Sequence, residues 1–521
     1  MKLAIIPARR ESKRLKDKNI RLFAGKPILA WPIQRAIEAK IFDHIIVSTE
    51  DEETAEVARE NGAEVPFMRP RELSDDFVGN IEVIQNVLEW YREQNIKFEY
   101  VCLLLATAPL VRSEDINEGF NILLSSDKSF ALPLCEYQYP IQRALILDSS
   151  KNLVPITPEK IKERSQDLDR AFYDAGQFIW GKEETFYELN KPMLSSSIAP
   201  LILPNNRVQD IDTLEDFLLA ESKFLKVEKD KMIPKIIIGT ANFGVDYGIT
   251  NTKGKVNNFE LNEIISAMKT IGIDKFDTAI NYGDSQKVLG KSGLESFHID
   301  TKLPSIPVDI SEIDGWINNQ IETALTDLSL DQINRVYFHD SMQLLNDDIA
   351  SSAFASISKV KERGLIKEVG ISIYDPMILD QLTNNIEFDA VQVPLNIFDR
   401  RIIDSGWLNK LSQKNINVIS RSVFLQGLLL MDDVNRPKYF SQWNELFSSY
   451  DDWIQHINIS RVEACLQFIF SISQIHGVII GIDDANQLHE ISNYLKPSVL
   501  DFPDYLISND ESLIDPNNWD E

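Results

Sequence analysis

A basic segment near the start of the chain has the composition of a phosphate site. Six Lys or Arg residues fall within the eleven positions from Arg9 to Asn19, directly after an apolar run, Leu3 to Ile6, that predicts a β-strand. Backbone N–H groups of such a loop, with Arg and Lys side chains, can bind a triphosphate and offset charge as pyrophosphate leaves. The rest of the chain is acidic, and this contrast favours a phosphate site over a solvated loop.

Asp210 and Asp212 form a candidate metal site. On a β-strand, residues two positions apart point to the same face, so the two carboxylates would converge. Oxygen ligands suit Mg²⁺, and an ion bridging nucleotide phosphates would stabilise charge that develops on the α-phosphate and pyrophosphate. The alternative is helix capping, since Asp212 precedes Thr213-Leu214-Glu215 in the manner of a capping box. Both roles could hold together.

Four polar residues in the second half have the types needed for carbonyl reduction. Asp277, Tyr282, Lys302 and His339 lie at or just after three successive predicted strands. A Tyr that protonates a carbonyl oxygen needs help, because its ordinary pKa is near 10. A neighbouring Lys⁺ lowers that pKa, an Asp holds the Lys, and a His can orient the carbonyl. Each residue alone would more often be structural, but four matching types at successive strand ends favour catalysis.

The first part of the chain alternates short strands with helices. Strands are predicted at Leu3–Ile6, His44–Ser48 and Tyr100–Leu105, and helices at Ile28–Glu38, Glu53–Asn61 and Ile81–Glu93. This order predicts a Rossmann-like α/β domain with a mainly parallel sheet and helices on both faces. Ligands of such sheets bind at the carboxyl ends of the strands, where the basic segment lies.

The second part repeats one unit eight times. Helical patterns separate most of the predicted strands, and eight βα units in roughly 270 residues match a TIM barrel, with an open doubly wound sheet as the alternative. The predicted strands are Lys235–Ile238, Lys275–Thr278, Asp300–Leu303, Arg335–Phe338, Glu368–Ile371, Ala390–Val393, Asn417–Ser420 and Val478–Gly481.

The two parts meet at a charged stretch, Lys226 to Pro234, which predicts a linker. We therefore expect one domain over residues 1–228, a second over 234–508, and a loose acidic tail over 509–521.

The overall composition excludes several classes of protein. The 521 residues carry a formal charge of −27, which disfavours binding to nucleic acid or to an anionic membrane surface. The three cysteines are too few and too widely spaced for a disulfide framework. No apolar run approaches the roughly 20 residues of a membrane span, and the N-terminus lacks the apolar stretch of a signal peptide. We expect a cytoplasmic protein.

The first part resembles the cytidylyltransferases that activate nonulosonic acids, and especially their pseudaminic acid branch. The resemblance rests on IIPARRESKRLKDKNIRLFAGKPILAW, ATAPL, YPIQRA, RSQDLDRAFYDAGQF and VQDIDTLEDF, and it spans nearly all of residues 1–225. It implies transfer of CMP from CTP to an acidic sugar with release of pyrophosphate. It also implies Mg²⁺ at Asp210 and Asp212 and a homodimer. The sequence departs at Arg10-Glu11, where the family usually has two glycines.

The resemblance also implies individual roles for residues of the first part. It implies a catalytic role for Lys18. The implied nucleotide contacts are Arg9, Ser12, Lys13, Asn19, Arg69, Ala106 and Thr107, and the implied sugar contacts are Gln142, Arg143, Arg164, Gln166 and Asp174.

The second part is similar to the aldo/keto reductase family over about residues 235–495. The similar segments are GTANFG, FDTAINYG, TKLP, YFHD, VGIS, VQVPLNIFD and GVIIGIDDANQL. They imply the tetrad named above and NAD(P)H as cofactor. The implied cofactor contacts are Gly239, Thr240, Asn242, Ser372, Gln392, Ser420, Gly481 and Gln487. Asp483 and Asp484 follow the last strand, and because carboxylates repel a 2′-phosphate we expect NADH rather than NADPH.

Three readings of the whole chain remain open. The first is a bifunctional enzyme that activates a nonulosonic acid and reduces a carbonyl on a related sugar. The second keeps an active transferase but makes the barrel a non-catalytic binding or assembly module. The third makes the first domain a sugar-binding module without transfer activity, which only Arg10-Glu11 supports.

Overall fold

Two units make up the chain in the computed structural model, residues 1–227 and 228–521. The structure describes residues 1–10, 14–75, 78–187, 197–249, 251, 254–310 and 312–519.

Eleven strands and five helices are described in the first unit and its connecting helix. The strands are β1 (Lys2–Pro7), β2 (Leu22–Phe23), β3 (Lys26–Pro27), β4 (His44–Ser48), β5 (Tyr100–Leu104), β6 (Phe130–Glu136), β7 (Leu145–Leu147), β8 (Leu153–Pro155), β9 (Phe172–Asp174), β10 (Phe178–Lys182) and β11 (Ile198–Leu203). The helices are α1 (Ala30–Ala39), α2 (Glu52–Glu60), α3 (Asn80–Glu93), α4 (Ser113–Ser125) and α5 (Leu214–Met232).

The main sheet of this unit has the order β11-β6-β10-β5-β1-β4, and β9 pairs with β6 at one end. Strand β1 runs parallel to both β4 and β5, and β11 runs parallel to β6, whereas β10 is antiparallel to its two neighbours. The predicted mainly parallel α/β sheet is confirmed.

Helices pack on both faces of this sheet, against side chains that point alternately to one face and the other. Ile6, Cys102 and Leu104 pack into a core with α1, α2 and α4. Leu3 and Ile5 of β1, with Val101 and Leu103 of β5, pack into a second core with α3. Because successive strand residues point to opposite faces, a strand that is buried on both sides must be apolar throughout, as β1 and β5 are.

The second unit contributes eight strands and twelve helices in its described residues. The strands are β12 (Ile236–Gly239), β13 (Lys275–Asp277), β14 (His298–Leu303), β15 (Ile333–Phe338), β16 (Ile366–Ser372), β17 (Ala390–Pro394), β18 (Asn417–Arg421) and β19 (Ile475–Gly481). The helices are α6 (Ala241–Gly244), α7 (Asn258–Ile271), α8 (Ser285–Gly290), α9 (Ile313–Leu328), α10 (Asp347–Glu362), α11 (Leu379–Asn385), α12 (Arg401–Asp404), α13 (Trp407–Gln413), α14 (Asn444–Ile457), α15 (Arg461–Ser471), α16 (Ala485–Tyr494) and α17 (Glu511–Ile514).

These eight strands close into a parallel barrel in chain order, and each overlaps one of the eight predicted strands. Closure comes from the parallel pairing of β12 with β19, so the alternative of an open sheet is wrong. Side chains from different strands, Ile237, Tyr337, Ala390 and Ile419, fill the interior, while the larger core lies between the barrel and its helices. A filled barrel leaves the strand ends as the place for a site.

The predicted linker is helical instead. Helix α5 continues through the charged stretch to Met232, and a 3₁₀ turn at Ile233–Lys235 ends it. The buried residues Phe217, Ala220, Phe224 and Val227 follow one another at intervals of three or four, so the helical period continues into the charged stretch. The division between the two units therefore falls within α5.

The prediction of a loose tail is wrong. Leu513 and Ile514 on α17 are fully buried against the core of the second unit. The indole of Trp519 packs edge-on against Phe440 at 4.9 Å between ring centroids, and its Nε1 donates to the Leu513 carbonyl at 3.0 Å. Leu513, Ile514 and Trp519 therefore hold this acidic segment against the core of the second unit.

None of the described helices has the length and apolar character needed to cross a membrane.

Candidate functional site

The barrel brings the four predicted reductase residues together at the carboxyl ends of its strands. Lys302, near the end of β14, forms a buried ion pair with Asp277 at the end of β13, and its Nζ also donates to the Thr278 carbonyl at 3.2 Å. Nζ lies 5.1 Å from the centroid of the Tyr282 ring. The rings of Tyr282 and His339 are nearly perpendicular, with centroids 6.2 Å apart.

The charges at these four positions suit proton donation by the phenol. Burial opposes the charge on Lys302, but Asp277 and Tyr282 outweigh this cost and raise the pKa of the amine, so it stays protonated. Burial, reinforced by the charges of Lys302 and Arg421, lowers the pKa of His339 to about 4. At neutral pH a charged Lys302 and a neutral imidazole therefore flank Tyr282.

Gln392 on β17 supports the same arrangement from the side. Its Nε2 donates to Asp277 Oδ1 at 2.9 Å and so fixes the carboxylate that holds Lys302. Its Oε1 is buried and has no hydrogen-bond partner among the described residues. A buried acceptor without a partner is costly, so this atom calls for a donor from a bound group.

A cavity of about 400 Å³ opens over these residues. Six of the eight predicted cofactor residues line it, namely Gly239, Thr240, Asn242, Gln392, Gly481 and Gln487. Ser372 and Ser420 do not line it, because both are buried at the ends of β16 and β18, and Ser420 Oγ donates to the Leu395 carbonyl at 3.3 Å.

The cavity is acidic where the last strand ends. Asp483 and Glu490 both line it. Asn242 Nδ2 donates to Asp483 Oδ1 at 2.9 Å, and the Asp483 N–H donates to Gln487 Oε1 at 2.8 Å. Two of the predicted cofactor residues therefore hold the segment that carries Asp483.

In the first unit, the basic segment meets the predicted metal pair at Lys18. Lys18 Nζ donates to the Ile211 carbonyl at 2.5 Å and lies 3.7 Å from Asp212 Oδ1. Burial lowers the pKa of Lys18, and Arg14 and Arg9 act in the same direction, whereas Asp212 and Asp210 oppose them. Arg14 Nη1 also donates to Asp212 Oδ2 at 2.5 Å.

The strand predicted for Asp210 and Asp212 is not present, since the segment lies outside every described strand. The fully buried Ile211 separates an exposed Asp210 from a half-buried Asp212, so side chains still alternate along it. Asp212 does not cap α5 through its side chain. Thr213 and Asp216 form the reciprocal cap instead, with Asp216 N–H donating to Thr213 Oγ1 and Thr213 N–H donating to Asp216 Oδ2. The Asp212 carboxylate is thus left facing Arg14 and Lys18.

Acidic residues hold Arg10, which stands where the resembled family has glycine. Its guanidinium forms ion pairs with Asp17 at 3.1 Å, with Asp51 at 3.1 Å and with Glu53. Its N–H donates to Glu50 Oε1 at 2.8 Å. The side chain is therefore engaged with acidic residues of the protein itself.

Several predicted nucleotide contacts lie around this loop. Arg9 Nη1 donates to the Asp75 carbonyl at 3.2 Å, and Asn19 Nδ2 donates to the Arg9 carbonyl at 2.8 Å. Ala106 and Thr107 lie in a turn just after β5, beyond the carboxyl end of the strand beside β1. Ser12 and Lys13 lie outside the described residues.

Arg69 lies behind the loop. Its side chain is 3% exposed and donates to Glu50 Oε2 at 2.6 Å, and Glu50 in turn accepts from the Arg10 N–H. From this place Arg69 can hold Glu50 and so fix the position of the loop at Arg10.

Four of the predicted sugar contacts share one exposed segment around β7 and β8. Gln142 Nε2 donates to the Asp169 carbonyl at 2.8 Å, and Arg143 Nη1 donates to Ser165 Oγ at 3.1 Å. Arg164 pairs with Asp167 at 2.7 Å, and Gln166 lies exposed on the same 3₁₀ turn as Asp167.

The fifth predicted sugar contact, Asp174, lies at the end of β9 near the acidic pair. Burial raises its pKa and the nearby charge of Asp210 adds to this effect, while a hydrogen bond from the Gly176 N–H opposes it. Asp174 is therefore close enough to Asp210 for the two carboxylates to interact.

Comparison with known proteins assigns both units to families. The family model described as aldo/keto reductase matches residues 235–505, just over half of the chain, and the one described as cytidylyltransferase matches residues 3–213. A pseudaminic acid cytidylyltransferase of Campylobacter jejuni is 39% identical over 222 residues, which are 42% of this chain and 94% of that protein. The chain belongs to both families. It carries a cytidylyltransferase domain followed by an aldo/keto reductase domain.

Two further relatives resemble the cytidylyltransferase domain. A CMP-N,N′-diacetyllegionaminic acid synthase of Legionella pneumophila is 31% identical over 240 residues, covering 44% of this chain and 99% of that protein. A Helicobacter pylori protein is 29% identical over 274 residues, covering 52% of this chain and 50% of that protein. Its name joins pseudaminic acid cytidylyltransferase to UDP-2,4-diacetamido-2,4,6-trideoxy-β-L-altropyranose hydrolase.

Further residues that line the cavity of the aldo/keto reductase domain were not predicted from the sequence, among them Tyr247, Tyr374 and Arg421. Arg421 is the last residue of β18 and Tyr374 lies two residues beyond β16. Their positions at the carboxyl ends of barrel strands were the available signal.

Proposed function

We propose that the chain is a bifunctional enzyme of acidic-sugar biosynthesis. The first domain transfers CMP from CTP to a nonulosonic acid, with pseudaminic acid as the preferred substrate. The second domain reduces a carbonyl on a related sugar with NAD(P)H. The observation that carries the second activity is the buried Lys302–Asp277 pair beside Tyr282, because such a pair serves a phenol that must give up a proton.

In the transferase step, the anomeric hydroxyl oxygen of the sugar bonds to the α-phosphorus of CTP and loses its proton to solvent, and the bond to the pyrophosphate oxygen breaks. Lys18 and Arg14 lie where they can offset the negative charge of the departing pyrophosphate. Arg69 and Glu50 hold the backbone of the loop at Arg10, so its position does not have to be set during the reaction.

Asp210 and Asp212 would hold Mg²⁺ in this domain. Two carboxylates on one short segment, beside a basic loop, fit the oxygen ligands and the shared phosphate contacts that this ion prefers. When bound, Mg²⁺ supplies positive charge at the phosphates.

In the reductase step, Tyr282 donates its proton to the carbonyl oxygen, and Lys302 stabilises the phenolate that remains. Neutral His339 can orient the carbonyl through one hydrogen bond without competing for the proton. Gln392 Oε1 would accept a hydrogen bond from the carboxamide of the nicotinamide. This bond would give that buried oxygen the donor that it lacks among the described residues. The reduced nicotinamide, when bound, supplies a hydride to the carbonyl carbon.

The acidic residues that follow β19 support NADH as the cofactor. Asp483 and Glu490 line the cavity, and a 2′-phosphate placed beside them would be repelled. The geometry supports a catalytic barrel over a non-catalytic one, because Lys302 pairs with Asp277 and lies beside Tyr282, and Tyr282 lies beside His339.

The relatives support the choice of sugar. The Campylobacter protein is named for pseudaminic acid and the Legionella protein for N,N′-diacetyllegionaminic acid, and the former is the more similar at 39% against 31% identity. The Helicobacter protein joins a cytidylyltransferase name to a hydrolase name, which supports the idea that such domains are fused to enzymes acting on related sugars.

A homodimer through the first domain forms part of the proposal. The β7–β8 hairpin exposes Leu145, Ile146, Leu147, Leu153 and Val154, each by at least 42%. A two-stranded hairpin with apolar side chains on both faces is marginal in water alone, and a second copy of the chain would cover it.

The full chain tests this proposal when it is incubated with CTP, Mg²⁺, a panel of nonulosonic acids and both nicotinamides, followed by mass analysis. We expect a CMP-sugar with pseudaminic acid and a product two hydrogens heavier from a carbonyl sugar in the presence of NADH. Formation of neither product would contradict the proposal.

A further inference from the structure

Arg421 is a cation of the reductase cavity that forms no ion pair with an acidic residue in the described part of the chain. Among the described residues that line the cavity, Lys302 and Arg421 carry positive charge, and Lys302 is already paired with Asp277. No described carboxylate forms an ion pair with Arg421, although the chain as a whole carries a charge of −27. A half-buried guanidinium without a counter-ion, in such an acidic protein, fits a site that receives its anion from a ligand.

The guanidinium is held in a fixed orientation. Its central carbon lies 4.0 Å from the centroid of the Tyr374 ring, a cation–π contact that restrains the guanidinium. Nη2 donates to the Ile373 carbonyl at 3.1 Å, and Nη1 makes a long contact of 3.4 Å with Ser422 Oγ. Since a guanidinium has five donors, donors remain for a ligand in the cavity.

Arg421 shares its cavity with the groups that would act on the carbonyl. Tyr282, Lys302 and His339 line the same space, and the charge of Arg421 is felt at His339. A substrate that places its carbonyl at Tyr282 can therefore reach Arg421 with another group of the same small molecule.

We propose that the reductase substrate carries a carboxylate as well as the carbonyl, and that Arg421 binds this carboxylate with Tyr374 as its support. The substrate class is thus an acidic keto or aldehydo sugar rather than a neutral one. This inference rests on the proposed reductase function and deepens it.

The geometry favours a carboxylate over a phosphate. The planar guanidinium of Arg421, held against the Tyr374 ring, can pair with both oxygens of a carboxylate in one plane. A phosphate of charge near −2 would call for more than one free cation, and the described charges on the cavity wall outside the Lys302–Asp277 pair and Arg421, namely Asp483 and Glu490, are negative.

The test compares 4-oxobutanoate with its methyl ester, two aldehydes that differ in the charge of one group, and adds 2-oxoethyl phosphate as a third probe. NADH oxidation is followed with the wild-type full chain and with Arg421→Gln and Arg421→Lys. The matched control is Arg363→Gln, an exposed arginine on the protein surface that pairs with Asn318 and Glu322.

We expect the wild type to prefer the acid over the ester, and Arg421→Gln to reduce that preference about tenfold to a hundredfold through KM. Arg421→Lys keeps part of the preference because it keeps the charge but not the fork. Arg363→Gln keeps all of it.

The inference is overturned if the wild type treats acid and ester alike, if the phosphate is preferred, or if Arg421→Gln weakens NADH binding tenfold or more, which would assign the residue to the cofactor. If no carbonyl compound consumes NADH, the proposed reductase function fails. Calorimetry of 4-oxobutanoate with the NAD⁺-loaded chain, which needs no turnover, then decides the inference alone. Equal binding of acid by wild type and Arg421→Gln would refute it.

Discussion

At the scale of single residues, two carboxylates at the start of α5 have different roles, one beside the basic loop and one in the helix cap. Asp212 faces Arg14 and Lys18, whereas Asp216, four positions later, closes the cap of α5 with Thr213. Both are acidic residues at the start of α5, so substitutions of the two can be compared as test and control.

Asp212→Asn is expected to abolish CMP-sugar formation and leave the thermal stability nearly unchanged. Asp216→Asn is expected to keep the activity and lose about 1 kcal/mol of stability, the usual scale for a lost cap. Activity and thermal unfolding of the two variants are the measurements. Full transfer by Asp212→Asn would refute the metal assignment.

His339 provides a prediction about pH. Its pKa is about 4 in the folded chain and near 6.5 when unfolded, so between these values the unfolded state binds a proton that the folded state does not. The contribution of His339 to stability is therefore full above pH 6.5 and is lost as the pH falls towards 4. An NMR titration of the imidazole C–H signals, with His339→Gln to assign the peak, is expected to show no titration of this residue above pH 5. A midpoint near 6.5 would contradict the buried, neutral imidazole.

At the scale of elements, periodicity predicted most of the fold. All eight barrel strands and the first strands of the sheet are where alternation and apolar runs indicated. The alternative of a helix cap by the Asp212 side chain is wrong, because a cap depends on which of several neighbouring oxygens the chain turns towards the helix. The linker expected over Lys226 to Pro234 is mostly helical, because the buried period of α5 continues to Val227. Arg421 was missed because its position at the end of β18 was a signal from one residue, whereas the four reductase residues formed a pattern over successive strands.

The C-terminal segment was the other error at this scale, and it yields a stability prediction. Leu513→Ala removes a fully buried side chain and is expected to cost about 2–5 kcal/mol. Its control is Ser512→Ala, an exposed neighbour whose hydrogen bond from Tyr439 is accepted by the main-chain carbonyl and survives the change. Thermal or urea unfolding measures both. Equal stability of the two variants would mean that the segment does not dock.

At the scale of the whole molecule, the proposed dimer can be tested on the hairpin. Leu147 and Leu153 face each other across β7 and β8, and both are more than 60% exposed. Leu147→Asp with Leu153→Asp is expected to convert a dimer to a monomer in light scattering, because burying two carboxylates in an apolar contact is costly. Val434→Asp, at a residue 93% exposed in the other unit, is the control and should leave the mass unchanged. A dimer that survives the double variant would place the interface elsewhere.

The two proposed activities belong to different domains of the chain, so each should fail alone. The most direct measurement is NADH oxidation by the full chain and by Tyr282→Phe with an acidic carbonyl sugar, with CMP-sugar formation recorded in the same samples. We predict that Tyr282→Phe lowers the rate of NADH oxidation at least about a hundredfold, since it removes only the proton donor, while CMP-sugar formation continues at the wild-type rate. Undiminished NADH oxidation by Tyr282→Phe, or no oxidation by the wild type, would contradict a reductase built on Asp277, Tyr282, Lys302 and His339.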